Sequence, residues 1–237
     1  MKKKAKFKKE ISEDYDRIFS THGLRADDSY YKWIIRILGN MNNKKFLDIS
    51  CGEGIVLREA GRLGAKTFGL DISQQALKKT KINSPASFLV LSDGENICLN
   101  AKFDYVTCLG SLEHYNYPEA GCKEIARLLK DSGRSIIVLP NKFSMHVILD
   151  VLFKGKPGNK GFQIIERDAS FGKWKEFLEA NGLRVLKVYK VNERPVFYRS
   201  GKIRSFAKFL RNFWFYYLTP FYFAREFAFL CEKDKNV

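Results

Sequence analysis

The 237 residues, 45 % of them hydrophobic, suffice for one large domain or two small ones with a full core, and no apolar run nears the roughly 18 to 20 residues of a membrane span. A formal net charge of +16 points to an anionic partner, whether nucleic acid, an anionic membrane surface or a phosphorylated substrate; spread along the whole chain, it also fits plain solubility. The cysteines (Cys51, Cys98, Cys108, Cys122, Cys231) are scattered without a CxxC pair, which argues against a zinc site or disulfide framework and for a reducing, cytoplasmic setting.

The opening MKKKAKFKKE is basic with no apolar run behind it, so it reads as a flexible tail over residues 1–10 and not as a secretory signal. Residues 10–20 and 27–39 read as helices. In the second, Tyr30, Trp33, Ile34, Ile37 and Leu38 recur at helical spacing, and Gly39-Asn40 is its stop. An alternation follows: strand 45–49, helix 53–63, strand 66–70, helix 73–81, strands 86–91 and 103–108, helix 118–130 with Pro118 in its first turn, and strand 134–139 after an Asp131-Ser132-Gly133 turn. Short, nearly all-apolar strands alternating with helices imply βαβ units and a parallel sheet covered on both faces. The last third is less regular. A helix-like FSMHVILDVLF (143–153) leads into KGKPGNKG (154–161), then come helix 170–180, strand 183–190, an aromatic helix 202–218 and a last strand within 222–231.

In an open parallel sheet, ligands bind at the carboxyl ends of strands. Those ends carry Asp48, Asp71 and Asp93, with a glycine loop after the first. Gly52 and Gly54 allow close backbone approach, and the helix after them aims free N–H groups at a ligand. Asp71 suits ribose hydroxyls, Asp93 an amino group such as that of adenine, and Leu70, Ile72, Leu91 and Leu109 apolar walls for a base. A dinucleotide fingerprint fails because Leu57 stands where the third glycine belongs; a phosphate loop fails because no GK[ST] follows. The plainer reading is that Asp48 and Asp71 only cap the following helices.

FLDISCGEG, GLDIS, LSDGENI, FDYVTCLGSLEHY and KEIARLLKDSGRSIIVLPN resemble, in order and spacing, the successive motifs of class I S-adenosylmethionine-dependent methyltransferases over residues 44–141. The resemblance implies a Rossmann-like, doubly wound, seven-stranded and mostly parallel sheet in the order 3-2-1-4-5-7-6, the last strand antiparallel. It also implies an N-terminal tail and helical cap (1–40), a methyltransferase domain (41–237) and substrate-side insertions near 141–168 and 192–222. Carried onto matching positions, Asp48, Ser50, Cys51, Gly52 and Gly54 would hold the methionine part of the cofactor, Asp71 its ribose, Ile72 its adenine, and Asp93, between Ser92 and Gly94, the adenine amino group. Leu109 would lie beside the reactive methyl. Ser50 departs from the family, which has glycine there.

A hydroxyl acceptor needs its proton removed. His114 is the first candidate base and Glu113 the second, with His22 and His146 weaker; His114 could instead only bond locally. The place after the fourth strand reads Leu109-Gly110-Ser111-Leu112, not the [ND]-P-P-[YFW] of base and glutamine methyltransferases. Gly110 stands where metal-dependent O-methyltransferases keep the first Glu of E-x-x-E-H, so no metal is expected. In the aromatic helix, Phe206, Phe209, Leu210, Phe213, Trp214, Tyr217 and Leu218 fall on one face, opposite Arg204, Lys208 and Arg211, with Phe215 intruding on the basic side. That is the composition of a membrane-interface element, or of a helix packing on its own domain. The reading is O-methylation of a small-molecule, glycan or lipid-linked acceptor, in the cytoplasm or at the inner face of a membrane. The alternatives are an RNA methyltransferase, favoured by charge alone, and a non-catalytic protein of the same fold.

Overall fold

The computed structural model describes residues 2–21, 27–157, 165, 167–192, 198–199, 202–203 and 206–235; for 2–7, 198, 199, 202, 203, 206–209, 211 and 212 it describes the backbone alone. The parallel strands are β1 (Lys45–Ile49), β2 (Lys66–Asp71), β3 (Phe88–Leu91), β4 (Phe103–Leu109) and β5 (Leu129–Pro140). Two more strands complete the sheet: β7 (Glu226–Lys233), which runs antiparallel to both its neighbours, and β6 (Leu183–Val191), which pairs with β7 and so runs in the direction of β1–β5. The strand order is 3-2-1-4-5-7-6, as the resemblance implies. Tyr198–Arg199 and Lys202–Ile203 pair in a separate two-stranded ribbon, so the aromatic helix is shorter than its pattern suggests.

The helices are α1 (Lys2–Thr21), α2 (Asp28–Leu38), α3 (Ile55–Arg62), α4 (Gln74–Asn83), α5 (Pro118–Leu128), α6 (Met145–Lys154), α7 (Phe171–Glu179) and α8 (Phe206–Leu218). Each face of the sheet has its own core. Ile34, Ile35 and Leu38 of α2 and Val56, Leu57 and Ala60 of α3 cover one; Ile125 and Leu128 of α5 and Trp174 and Leu178 of α7 cover the other. Successive residues of β5 alternate between them: Ile136 and Val138 meet the first, Ile137 and Leu139 the second. A strand buried on both sides therefore reads as one apolar run.

Two sequence expectations are corrected. Residues 2–10 are not a tail but the start of α1. Nothing in 2–21 breaks a helix, since it holds no Pro or Gly. Cations at a helix N-terminus are disfavoured by the dipole, and tertiary contacts offset that: Lys8 pairs with Asp93 and with Glu95 (3.3 Å). The Asp131-Ser132-Gly133 turn is absorbed into β5 as a bulge, where Phe103 pairs with Leu129 and Tyr105 already with Arg134. A Cβ on Gly133 would lie 2.9 Å from the Phe103 carbonyl oxygen, so only glycine fits there.

Candidate active site

Parallel pairing brings the carboxyl ends of β1 to β4 together. Asp48 sits between Gly69 of β2 and Thr107 of β4, at the point where strand order reverses. Asp71 ends β2, and Asp93 lies just beyond β3. All three line one cavity of about 1510 Å³, together with Ser50, Cys51, Gly52, Ile72, Gly94, Leu109, Glu113 and His114. Of the other residues expected at the site, Gly54 and Ser92 are near it but do not line it. Gly54 donates its N–H to the Cys51 carbonyl at 2.8 Å, and the Ser92 N–H donates to the Asp71 carbonyl at 3.0 Å.

The carboxylates are held differently. Asp48 is 4 % exposed, and its Oδ1 accepts a 2.6 Å hydrogen bond from the Thr107 hydroxyl. Burial, with the nearby Asp71 charge, pushes its carboxyl up to about 7 despite that bond. Asp71 is 5 % exposed; its Oδ2 accepts from the Gly52 N–H (2.9 Å) and its Oδ1 from the Ser73 N–H (2.8 Å). Burial raises it to about 6, against the pull of those N–H groups. Each Asp71 oxygen keeps a further lone pair for a ligand. Asp93 faces the Lys8 ammonium.

The loop after β1 is shaped for close approach. Gly52 and Gly54 have positive φ, and a Cβ on Gly54 would meet the Thr80 methyl at 2.4 Å. Ser50 also has positive φ, at 58°, which explains why glycine is the family's residue there. Its hydroxyl lies 3.0 Å from the Tyr115 hydroxyl. The left-handed backbone costs a non-glycine residue about 1 kcal/mol, and a hydrogen bond to a buried phenol returns about the same. Ser50→Gly is therefore expected to leave stability within about 1 kcal/mol of the parent and to change cofactor affinity less than roughly tenfold. Thermal unfolding and calorimetric titration check this, and a much tighter complex would show that Ser50 weakens the site.

Four contributors were not foreseen. Thr107, which sequence reasoning passed over, is a polar residue between Val106 and Cys108 in the buried part of β4, and that was a readable signal. Tyr115 is wedged between glycines: a Cβ on Gly94 or Gly121 would collide with its ring or hydroxyl. Helix α1 crosses the cavity mouth. The Ser12 hydroxyl donates to the Ile72 carbonyl (2.8 Å), and Asp16 Oδ1 accepts from the Ser73 hydroxyl (2.5 Å) and the Gln75 N–H (3.0 Å), capping α4 from another helix. Arg167, from the 141–168 insertion, binds the Glu113, Tyr115 and Asn116 carbonyls and so holds the turn that carries the candidate base.

On that turn the His114 Nδ1 lies 2.5 Å from the Ile165 carbonyl oxygen, and Nε2 lies 3.6 Å from Glu113 Oε1. A carbonyl can only accept, so Nδ1 carries a proton, and Nε2 is the ring nitrogen that faces Glu113. His146 is engaged elsewhere, its ring 3.9 Å from that of Phe215. His22 lies outside the described residues. Among the described residues, no group of three or more His, Cys, Asp and Glu could hold a metal ion, and no helix is long and apolar enough to cross a membrane.

The comparisons with known proteins agree with this geometry. Residues 47–137 match a family model described as a methyltransferase domain. The ubiquinone biosynthesis O-methyltransferase of Cupriavidus pinatubonensis is 33 % identical over 117 residues, 46 % of this chain and 46 % of that protein. The mitochondrial ubiquinone biosynthesis O-methyltransferase of rat is 29 % identical over 157 residues, 61 % of this chain and 46 % of that protein. The chain thus spans about half the length of the curated relatives it matches. Among solved structures, magnesium protoporphyrin IX methyltransferase from Synechocystis, crystallised with S-adenosylhomocysteine, superposes with a TM-score of 0.61 at 17 % identity, over 96 % of this chain and 99 % of that one. The segment 47–137 is thus a methyltransferase domain, set in a sheet with the strand order that the resemblance to class I S-adenosylmethionine-dependent methyltransferases implies.

Proposed function

We propose that the chain transfers a methyl group from S-adenosyl-L-methionine to an oxygen of a small-molecule, glycan or lipid-linked acceptor, leaving S-adenosyl-L-homocysteine. The observation that carries the reading is one cavity reached by Asp48, Asp71 and Asp93 from three strand ends and by His114 from beyond a fourth. When bound, S-adenosylmethionine supplies a methyl already activated on its sulfonium, so the protein's tasks are alignment and proton removal. Asp48 and the 50–54 loop suit the methionine part, with Asp48 opposite its ammonium. Asp71 suits the ribose hydroxyls through its remaining lone pairs. Ile72 offers a wall for adenine, and Asp93, which already accepts an ammonium from Lys8, suits the adenine amino group.

His114 is assigned as the general base. Its Nε2 takes the hydroxyl proton, and the Glu113 carboxylate 3.6 Å away stabilises the imidazolium that forms. The ubiquinone biosynthesis O-methyltransferases among the relatives favour oxygen as the accepting atom. Residues 1–40 are read as a cap over the cofactor, supported by the Ser12 and Asp16 contacts of α1. The charge of +16 is what favours an RNA acceptor, and salt-dependent RNA binding would support that second reading. Calorimetric titration tests the main one: no S-adenosylmethionine binding at sub-millimolar concentration would remove it.

His114→Ala is expected to lower turnover on the order of 10² to 10⁴-fold while leaving cofactor affinity nearly unchanged. Release of S-adenosylhomocysteine over a panel of hydroxylated acceptors and a lipid extract reads the first quantity, and titration the second. Turnover within tenfold of the parent would show that alignment alone suffices.

A further inference from the structure

Helix α6 forms where a helix is expected but leaves its apolar residues uncovered. Its core, Val147-Ile148-Leu149 and Val151-Leu152-Phe153, is strongly apolar, yet none of its residues is buried. Leu152 is 69 % exposed and Phe153 78 %. Helix α8 packs beside it, His146 against Phe215, and turns outward the face that a helix packing on its own domain would bury. Trp214 is 67 % exposed, and Leu210, Phe213, Tyr217 and Leu218 are exposed with it. Among the described side chains of α8 the half-buried ones are Phe215 and Tyr216, so Leu210, Phe213, Trp214 and Leu218 of the expected apolar face are turned outward. Tyr222, exposed just after α8, extends the patch. An unburied surface of this size on a single chain marks an interaction site.

The sequence of the segments that carry the patch selects the partner. Residues 141–161 contain Lys142, Lys154, Lys156 and Lys160 against Asp150, and residues 192–225 contain seven Lys and Arg against Glu193 alone. Trp, Tyr and Phe combined with Lys and Arg is the composition that seats a helix at the headgroup level of an anionic bilayer. A second copy of the chain would bring two equally basic segments together, which disfavours self-association through this surface. The patch also adjoins the cavity, whose lining includes Val147, Ile148, Val151 and Leu152 of α6 and Tyr216 and Tyr217 of α8. We infer that α6 and α8 form a docking face for an anionic lipid surface, and that the cavity opens beside it to receive an acceptor from the bilayer. The docking stands on the face itself; its link to the acceptor rests on the function proposed above.

The test is co-flotation of the full chain with vesicles of phosphatidylcholine alone and of phosphatidylcholine mixed with phosphatidylglycerol. Binding to the mixed vesicles, falling on the order of tenfold with added salt and on the order of tenfold in Phe153→Glu and in Trp214→Glu, is the expected result. Neither residue lines the cavity, so S-adenosylmethionine titration of both variants should match the parent. That arm also reports separately on the methyltransferase reading. Brominated lipid gives a readout that needs no variant. Trp174 is buried and Trp33 only partly exposed, so quenching should fall mainly on the emission of Trp214. Absence of quenching and flotation would overturn the inference. So would flotation indifferent to both substitutions, or a parent that self-associates and becomes monomeric in Phe153→Glu.

Discussion

Replacing Asp71 with alanine is expected to weaken S-adenosylmethionine binding roughly 100-fold, the worth of two hydrogen bonds to a charged group at about 1.5 kcal/mol each. The same substitution should move the melting temperature far less. The half-buried N–H of Gly52 and the buried N–H of Ser73 lose their acceptor. The molecule also stops burying a charge whose carboxyl stands near 6 instead of 3.8, a difference of about 3 kcal/mol. The gain and the loss are of similar size, about 3 kcal/mol each, and largely offset above neutral pH. Asp71→Asn separates the contributions further. An amide oxygen can serve one of the two N–H donors, but its NH₂ group opposes the other. Titration against thermal unfolding reads both effects. A loss of affinity under about fivefold in Asp71→Ala would mean that the ribose is held elsewhere.

The sheet was legible because its pattern is local. Each strand of β1 to β4 is a short, mostly apolar run with polar or glycine residues at or just beyond its end, and such runs fix element type whatever their partners are. The order 3-2-1-4-5-7-6 was not read from periodicity; it came with the resemblance, since nothing in β6 or β7 says which of them joins β5. Asp48, Asp71 and Asp93 were legible because strand ends in a parallel sheet converge on one side. The contacts that finish the site were not. Lys8, Ser12 and Asp16 act from a helix more than 50 residues away in sequence. Its first turns read as a solvated tail because their reason for ordering is Asp93 and Glu95, not their own propensity. Arg167 is illegible for the same cause: its partners are carbonyl oxygens, which no sequence pattern advertises. Ser50 was legible as a departure, but its remedy in Tyr115 required the fold. The outward face of α8 was legible as an apolar stripe, though not the side toward which it turns.

The two raised carboxyls make cofactor binding and stability respond to pH in opposite directions. In the free protein Asp48 stands near 7 and Asp71 near 6, both raised by burial above the ordinary 3.8. A folded carboxyl raised above its unfolded value favours folding when protonated. That contribution is fully present below the unfolded value and is lost as pH rises through 6 and then 7. The free protein is therefore expected to lose stability between about pH 5.5 and pH 7.5, by up to roughly 3 kcal/mol from these groups. A ligand that brings an ammonium to Asp48 and hydroxyl donors to Asp71 favours the ionised forms, so its affinity should rise over the same interval, by about 10- to 100-fold. The window ends near 7.5 because an α-ammonium itself titrates at about 8. The thermal shift produced by saturating S-adenosylmethionine should accordingly be larger at the upper end than at the lower. Asp48→Asn removes the group that titrates highest, so it should flatten most of the affinity profile above pH 6 and leave the Asp71 step below it. An affinity constant across the window in the parent protein would show that neither carboxylate meets the ligand in its charged form, and the assignment of Asp48 to the ammonium would fall with it.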